Sequence, residues 1–302
     1  MDKTAEEIRA LAKEKDALIL AHYYVDEKIQ EIADFVGDSY ALAKKAISDP
    51  RKTIVFCGVT FMGESASILN PDKTVLVPDL DSVCPMALMV NKKDIEDMRA
   101  KYDDLAVVCY INSMADVKAL SDVCVTSSNA LKIVKSLPNK NIFFIPDGNL
   151  GRFVAREIPE KNIILNKGYC HVHTEISPKA LEALSDEHPE AEILAHPECN
   201  EEVSAMADYL GSTKEIIEYA TASDKKEFII CTENGVNYEL KKQNPGKTFY
   251  YVSQNQECPN MKRLTLQKVL NCLKTKSPEI RVSKELRTAA LKPLEKMLEL
   301  AK

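Results

Sequence analysis

A chain of 302 residues with 45% hydrophobic and 28% charged content has room for one large core or about two or three smaller domains. Its formal charge of −6 argues against a nucleic-acid partner, which needs a basic face, but leaves anionic small molecules open to a local cationic pocket. No apolar run approaches the about 20 residues of a membrane span, and the opening MDKTAEEIRALAKEKDA lacks a signal-peptide core, so no membrane partner and a cytoplasmic location are expected.

Taken in chain order, a helix at TAEEIRALAKEK (4–15) precedes a short apolar strand at LILAH (18–22). Polar residues and a helix ending at Asp34 follow, then a second helix at SYALAKKAI and buried strands at TIVFCGV (53–59) and TVLVPDL (74–80). The pattern restarts with a helix at NKKDIEDMRAKY and strands at 107–111, NIFFIPD (141–147) and NIILNKG (162–168), with NALKIVKSL as a further helix. It restarts again with SPKALEALSDEH, EILAH, TKEIIEYA, EFIICTE (227–233) and TFYYVSQ (248–254). An extension from about residue 264 carries a helix near VSKELRTAALKPLEKMLEL.

These restarts are an internal repeat. Asp34, Asp122 and Asp208 are spaced by 88 and 86 residues. Five residues after them stand Ser39, Ser127 and Thr213; twelve before stand His22, Tyr110 and His196; ten before stand Tyr24, Asn112 and Glu198. Each unit ends in a cysteine: Cys84, Cys170 and Cys258. The repeat divides the chain into units 1–89, 90–176 and 177–263, with a helical extension 264–302 packing on them. Strands alternating with helices predict an α/β fold of three similar αβα sandwich domains with parallel sheets. Ligands of such sheets bind beyond the carboxyl ends of the strands, where all the repeated polar residues fall. Packing around a pseudo-threefold axis would bring those edges together as an active site at the central interface.

The chemistry candidates follow from this register. Cys57, Cys109 and Cys231 lie in apolar strands and Cys124 and Cys272 in apolar helical contexts, where a small buried hydrophobe is the plain explanation. Cys199 has Val25 and Ser113 as counterparts, so the repeat does not recruit it. Three cysteines on one axis suit an iron–sulfur cluster ligated at three corners; a three-cysteine zinc site, or cysteines that never meet, are the alternatives. His22 and His196 read as groups that hold a carboxylate or move protons, Tyr24 and Glu198 as proton handlers. Ser39, Ser127 and Thr213 read as helix N-caps, as anion-binding hydroxyls, or both. His171 and His173 have Pro85 and Ala87, and Pro259 and Met261, as counterparts; they read as neighbours of Cys170, not as ligands. Lys262 and Arg263 read as solvated surface, and so does His188.

The segments LAHYY, IADFVGDS, YINS, TSSNA, PDGNLG, GYCHVH, HPEC, GST and CPNMK, in this order from about residue 16 to 275, resemble the quinolinate synthase family of NAD biosynthesis. The resemblance implies a transferase that condenses iminoaspartate with dihydroxyacetone phosphate to quinolinate, losing phosphate and two waters. It implies a [4Fe–4S] cluster on Cys84, Cys170 and Cys258 with one open iron as Lewis acid. His22, Ser39, Tyr110, Asn112, Ser127, His196, Glu198 and Thr213 would then bind substrate, and Tyr24, Glu198, His22 and His196 would be catalytic. Functional coupling to an iminoaspartate-producing enzyme would also fit. The family often carries Asn where this chain has Tyr23. Two rival readings are a metal or redox sensor on a three-cysteine site and a hydrolyase acting on another dicarboxylate. A nicotinamide enzyme is disfavoured, since no G-x-G-x-x-G follows any expected strand.

Overall fold

The computed structural model describes residues 2–302. Its first sheet is built from β1 (Ala17–His22), β2 (Phe35–Gly37), β3 (Thr53–Cys57) and β4 (Thr74–Leu76), in the order β2-β1-β3-β4. The second contains β5 (Leu105–Tyr110), β6 (Val123–Val125), β7 (Asn141–Ile145) and β8 (Asn162–Leu165), and the third β9 (Glu192–Ala195), β10 (Tyr209–Leu210), β11 (Glu227–Cys231) and β12 (Thr248–Tyr251). Both repeat the order of the first, and every pairing is parallel. Central strands β1 and β5 are buried along their whole length, as continuous apolar runs covered on both faces must be.

Each sheet holds one strand more than the sequence suggests. The edge strands β2, β6 and β10 are two or three residues long, too short to show an alternation of period two. The helices before them stop earlier than expected, at Ile32, Ala119 and Met206. The repeated aspartate therefore stands immediately before the edge strand. Its backbone N–H donates to the carbonyl of Ile19, Val107 or Ile193, and its carboxylate accepts the N–H of that same residue at 2.8, 2.7 and 2.8 Å. A charged acceptor thus continues the ladder where the edge strand is short. A second threefold device is a lysine. Lys73, Lys161 and Lys247 each donate to two carbonyls at or just past the ends of helices Ser39–Ser48, Ala130–Ser136 and Thr213–Ala222, at 2.5–2.8 Å.

The core is shared unequally. One continuous apolar cluster joins the first two sheets to the C-terminal helices. Helix Leu266–Thr275 packs on helix Lys3–Glu14, and helix Lys284–Leu300 crosses helix Ala115–Ala119, β6 and helix Thr60–Leu69. The third sheet has two smaller cores, one per face: Leu194, Phe228 and Ile230 on one side, Ile193, Ala195, Ile229 and Cys231 on the other. Cys124, expected on a helix, lies on β6; Cys272 is helical as expected. No helix among the described residues is long and apolar enough to cross a membrane.

Candidate active site

The carboxyl ends of the strands from all three sheets meet around one cavity. His22, Tyr24, Ser39, Cys84, Tyr110, Asn112, Ser127, Cys170, His196, Glu198, Thr213 and Cys258, the residues selected by repeat position, all line it. Phe61, Met62, Met86, Val172 and Met261 supply an apolar wall.

His22 ends β1 and His196 follows β9, and both are built alike. The N–H of Tyr24 donates to Nδ1 of His22, and the N–H of Glu198 to Nδ1 of His196, each at 3.2 Å. With Nδ1 accepting, the neutral ring carries its proton on Nε2. Burial pushes both imidazoles down to about 3, against the pull of the Glu198 charge, so neutral rings are what pH 7 presents.

Glu198 is buried, which by itself would raise its carboxyl. The neighbouring histidines His196 and His173 and the Tyr110 hydroxyl outweigh that and keep it low. One carboxylate oxygen lies 2.9 Å from Nδ1 of His173; the other is buried without a partner among the described residues, as is Oδ1 of Asn112. Unpartnered buried oxygens cost free energy, and they are the mark of a site waiting for a donor. The Tyr24 hydroxyl sits 2.6 Å from Oγ1 of Thr213 and 2.9 Å from Oγ1 of Thr232. Oγ1 of Thr232 in turn lies 2.8 Å from Nε2 of His173. Glu198, His173, Thr232, Tyr24 and Thr213 therefore form one hydrogen-bonded chain, with burial first and the Glu198 charge second holding the phenol well above its usual range.

His173 is the residue that the repeat argument set aside. It is buried, its Nδ1 lies 3.2 Å from Sγ of Cys170, and Cys170, His173 and Glu198 place one donor atom each within 4.8 Å. The signal was local: three residues after Cys170 is one helical turn, on the same face. His171 stays outside, in a surface recess beside Glu175 and Lys262. His188 is part-exposed and stacks on Tyr250, centroids 3.7 Å apart. Lys262 is not simply solvated: its Nζ lies 3.2 Å from Oε1 of Glu233 and donates to the Tyr24 carbonyl at 3.0 Å.

Ser39 and Thr213 are not caps. Asp38 caps helix Ser39–Ser48, accepting from the Ala41 N–H, and Ser212 caps helix Thr213–Ala222 in a capping box with Glu215. The hydroxyls of Ser39 and Thr213 are thereby left to face the cavity, at two helix starts whose dipoles favour anions. Ser127 precedes helix Ala130–Ser136, whose Asn129 accepts from the Thr126 N–H instead.

The three cysteines share one local construction. Each carbonyl accepts from a short turn that the cysteine opens, from Ala87 at 3.1 Å, Thr174 at 2.9 Å and Lys262 at 3.0 Å. Turn N–H groups point at each sulfur, of Ala87 and Met86, of His173, and of Met261 and Asn260. Acidic side chains hold two of the backbones, Asp147 taking the N–H of Cys170 and Glu233 that of Cys258; the counterpart of these acids before Cys84 is Val59. Burial first pushes the Cys84 thiol up to about 12 and Cys170 and Cys258 upward too; Cys258 further raises Cys84, and Cys84 raises Cys170. Three thiols lining one cavity, each kept from ionising by burial and each with backbone N–H groups directed at its sulfur, are a donor set that fits a shared cationic centre.

A family model described as "Quinolinate synthetase A protein" matches residues 6–299. The chain is 53% identical over 294 residues to the quinolinate synthase of Caldicellulosiruptor bescii, covering 97% of each chain. It is 52% identical over 296 residues to that of Fusobacterium nucleatum, covering 98% of this chain and 99% of the relative. Against the Aquifex aeolicus enzyme the identity is 47% over 301 residues, covering 98% and 94%. With matches of this extent and a cavity lined from all three repeats, the chain belongs to the quinolinate synthetase A protein family.

Proposed function

We propose that the chain is a quinolinate synthase, a cytoplasmic transferase that condenses iminoaspartate with dihydroxyacetone phosphate in the de novo route to NAD. The stoichiometry closes with release of one phosphate and two waters. The observation that carries the reading is the convergence of three cysteines and nine polar residues from three separate repeats on one cavity. Cys84, Cys170 and Cys258 would hold a [4Fe–4S] cluster. That group supplies a Lewis acid at its open iron, suited to a reaction that expels hydroxide.

The chain's own residues account for the rest. Neutral His22 and His196 offer Nε2–H donors to substrate carboxylates without drawing in a compensating anion. Ser39, Ser127 and Thr213 add hydroxyls, and the starts of the two ten-residue helices at Ser39 and Thr213 add dipoles that favour carboxylate or phosphate. Tyr110 and Asn112 orient the partner carrying the phosphate, the unpartnered Oδ1 of Asn112 accepting from it. Glu198 is the base: an anion with one free oxygen, its other oxygen and its rotamer held by His173. Tyr24 is the acid, its proton passed along Thr232, His173 and Glu198. The apolar wall keeps water from the unstable imine. All nine cysteines are free, as a reducing compartment requires. Cys170, His173 and Glu198 lie close enough for a single metal ion, but the 2.9 and 3.2 Å contacts already engage Nδ1 of His173.

The test is anaerobic reconstitution followed by iron, sulfide and quinolinate assays. About four irons and four sulfides per chain, with product formed from the two substrates, are the expected result. In Cys84→Ala, cluster absorbance and activity should both disappear; their retention would sink the proposal. One iron without sulfide would point instead to the single-ion site.

A further inference from the structure

Away from the cavity surface, on the second sheet, a group of buried reactive side chains has no part in the chemistry above. Cys109 on β5 and Cys124 on β6 are register partners in adjacent parallel strands, and both are fully buried. Lys118, on helix Ala115–Ala119, is fully buried with them. Its ammonium donates to the Ser113 carbonyl and lies 5.3 Å from the centroid of the Phe61 ring. No ion pair joins it to a carboxylate among the described residues; Glu64 and Asp116 act on it only from a distance.

A buried ammonium without a counter-ion is costly, and the two sulfurs are the first charges that act on it. Burial by itself would raise the Cys109 thiol. The Cys124 thiol, as hydrogen-bond donor, and the Lys118 charge outweigh burial and bring Cys109 below its ordinary value, while burial and then Cys109 hold Cys124 well above. The hydroxyls of Ser113 and Ser121 donate to the carbonyls of Tyr110 and Val117, and the Cys109 thiol itself donates to the Tyr110 carbonyl at 3.4 Å. Cys109 is thus the sulfur of the pair that gives up its proton more readily, and the one an oxidant meets first.

The geometry permits the bond. Paired residues on adjacent strands have Cα atoms about 4.8 Å apart with side chains on one face. That separation falls inside the roughly 4.4–6.8 Å range that a disulfide spans. We infer that Cys109 and Cys124, beside Lys118, form a modification site that hydrogen peroxide closes into a disulfide. The Cys109 thiol gives up its proton and its sulfur attacks the peroxide O–O bond, giving a sulfenic acid and hydroxide, which takes up that proton to become water. The Cys124 sulfur then displaces hydroxide from the sulfenic sulfur, its own proton making the second water. Two thiols are oxidised by two electrons and one peroxide is reduced to two waters. This inference is independent of the proposed condensation, and its readout is a peptide mass.

The experiment treats the full-length protein with a graded excess of hydrogen peroxide, blocks remaining thiols under unfolding conditions and digests with trypsin. Cys109 and Cys124 fall in separate single-cysteine peptides, 102–118 and 119–132. The expected result is a linked peptide pair that appears at least about tenfold faster than oxidation of Cys57, Cys231 and Cys272, which are equally buried and serve as internal controls. Lys118→Met, which merges the two into one peptide 102–132 whose link is read as a loss of two hydrogens in mass, should slow the link by about tenfold, and Cys124→Ala should leave Cys109 trappable by a sulfenic-acid reagent. If Lys118→Met does not fold, the rate comparison within the unmodified chain decides alone. Oxidation of Cys109 no faster than Cys57 and Cys231, or oxidation without the link, overturns the inference.

Discussion

The first two repeats and the third are built on the same sheet order but are held together differently. Repeats one and two share one apolar core with both C-terminal helices, while the third keeps two smaller cores to itself. Its contacts with the others are largely polar and concentrated at the cavity: Tyr24 to Thr213 and Thr232, His173 to Glu198 and Thr232, Gln30 to the Gly235 carbonyl. The chief apolar exception is Tyr23, which leaves β1 to pack with Leu194 and Phe228 of the third repeat. Its ring is 8% exposed, buried in the core of the third repeat. A two-repeat base thus presents Cys84, Cys170, His22 and Tyr24 to a third unit bearing His196, Glu198 and Cys258. The cavity depends on how closely that unit seats.

Substitutions can break or sharpen this contrast. The largest effect is expected from Tyr24→Phe, which cuts the hydrogen-bonded chain between base and third unit while leaving the ring in place. Quinolinate formation should fall by about 10²–10⁴-fold with cluster absorbance intact; near-normal turnover would remove Tyr24 from the chemistry. Next, Leu294→Ala in the shared core should cost about 2–5 kcal/mol in global unfolding. Leu240→Ala, equally buried in the third repeat, should instead raise hydrogen exchange mainly in residues 192–251. Equal global losses from both would show that the three repeats unfold as one.

Gly235 gives a third test. A Cβ there would stand 2.7 Å from the Tyr23 carbonyl and 2.7 Å from Cα of Tyr24, both backbone atoms. Gly235→Ala should therefore push the third unit off the base, at a cost of about 1–3 kcal/mol and a raised KM for both substrates; an unchanged KM would mean the contact does not set the seating. The last test is graded by pH. His22 and His196 have folded values near 3 against 6.5 unfolded, so below pH 6.5 the unfolded chain binds more protons. Their contribution is complete above pH 6.5 and is lost as pH falls toward 3, by up to about 1.4 kcal/mol per pH unit for each. Urea midpoints at pH 7, 6 and 5 should decline, and the His22→Asn/His196→Asn double variant should flatten the slope. An equal slope in that variant would assign the acid sensitivity elsewhere.

Reading this chain by its repeat worked where the three units are alike and failed where they differ. Every repeated cysteine and polar residue reached the cavity because equivalent positions on equivalent sheets share an edge. The same reasoning discarded His173, because its counterparts Ala87 and Met261 are apolar, although its spacing from Cys170 is one helical turn. Glu233, holding the Cys258 N–H and paired with Lys262, was missed for the same reason: its counterpart before Cys84 is Val59. The edge strands were hidden by brevity, and their aspartates were recognised as anchors of the repeat before their bonds to the central strands could be known.

By itself the sequence determined the number of units, the parallel α/β character and the repeated residues that line the cavity, three cysteines among them. These follow from hydrophobic pattern and spacing, which are local or periodic properties of the chain. Only the tertiary structure decided which nitrogen of each histidine accepts, which oxygen of Glu198 is left free, and which sulfurs stand beside Lys118. Those depend on atoms from different repeats meeting in a low-dielectric interior, where a hydrogen bond or a buried charge is settled by a few tenths of an ångström and leaves no periodic trace in the sequence.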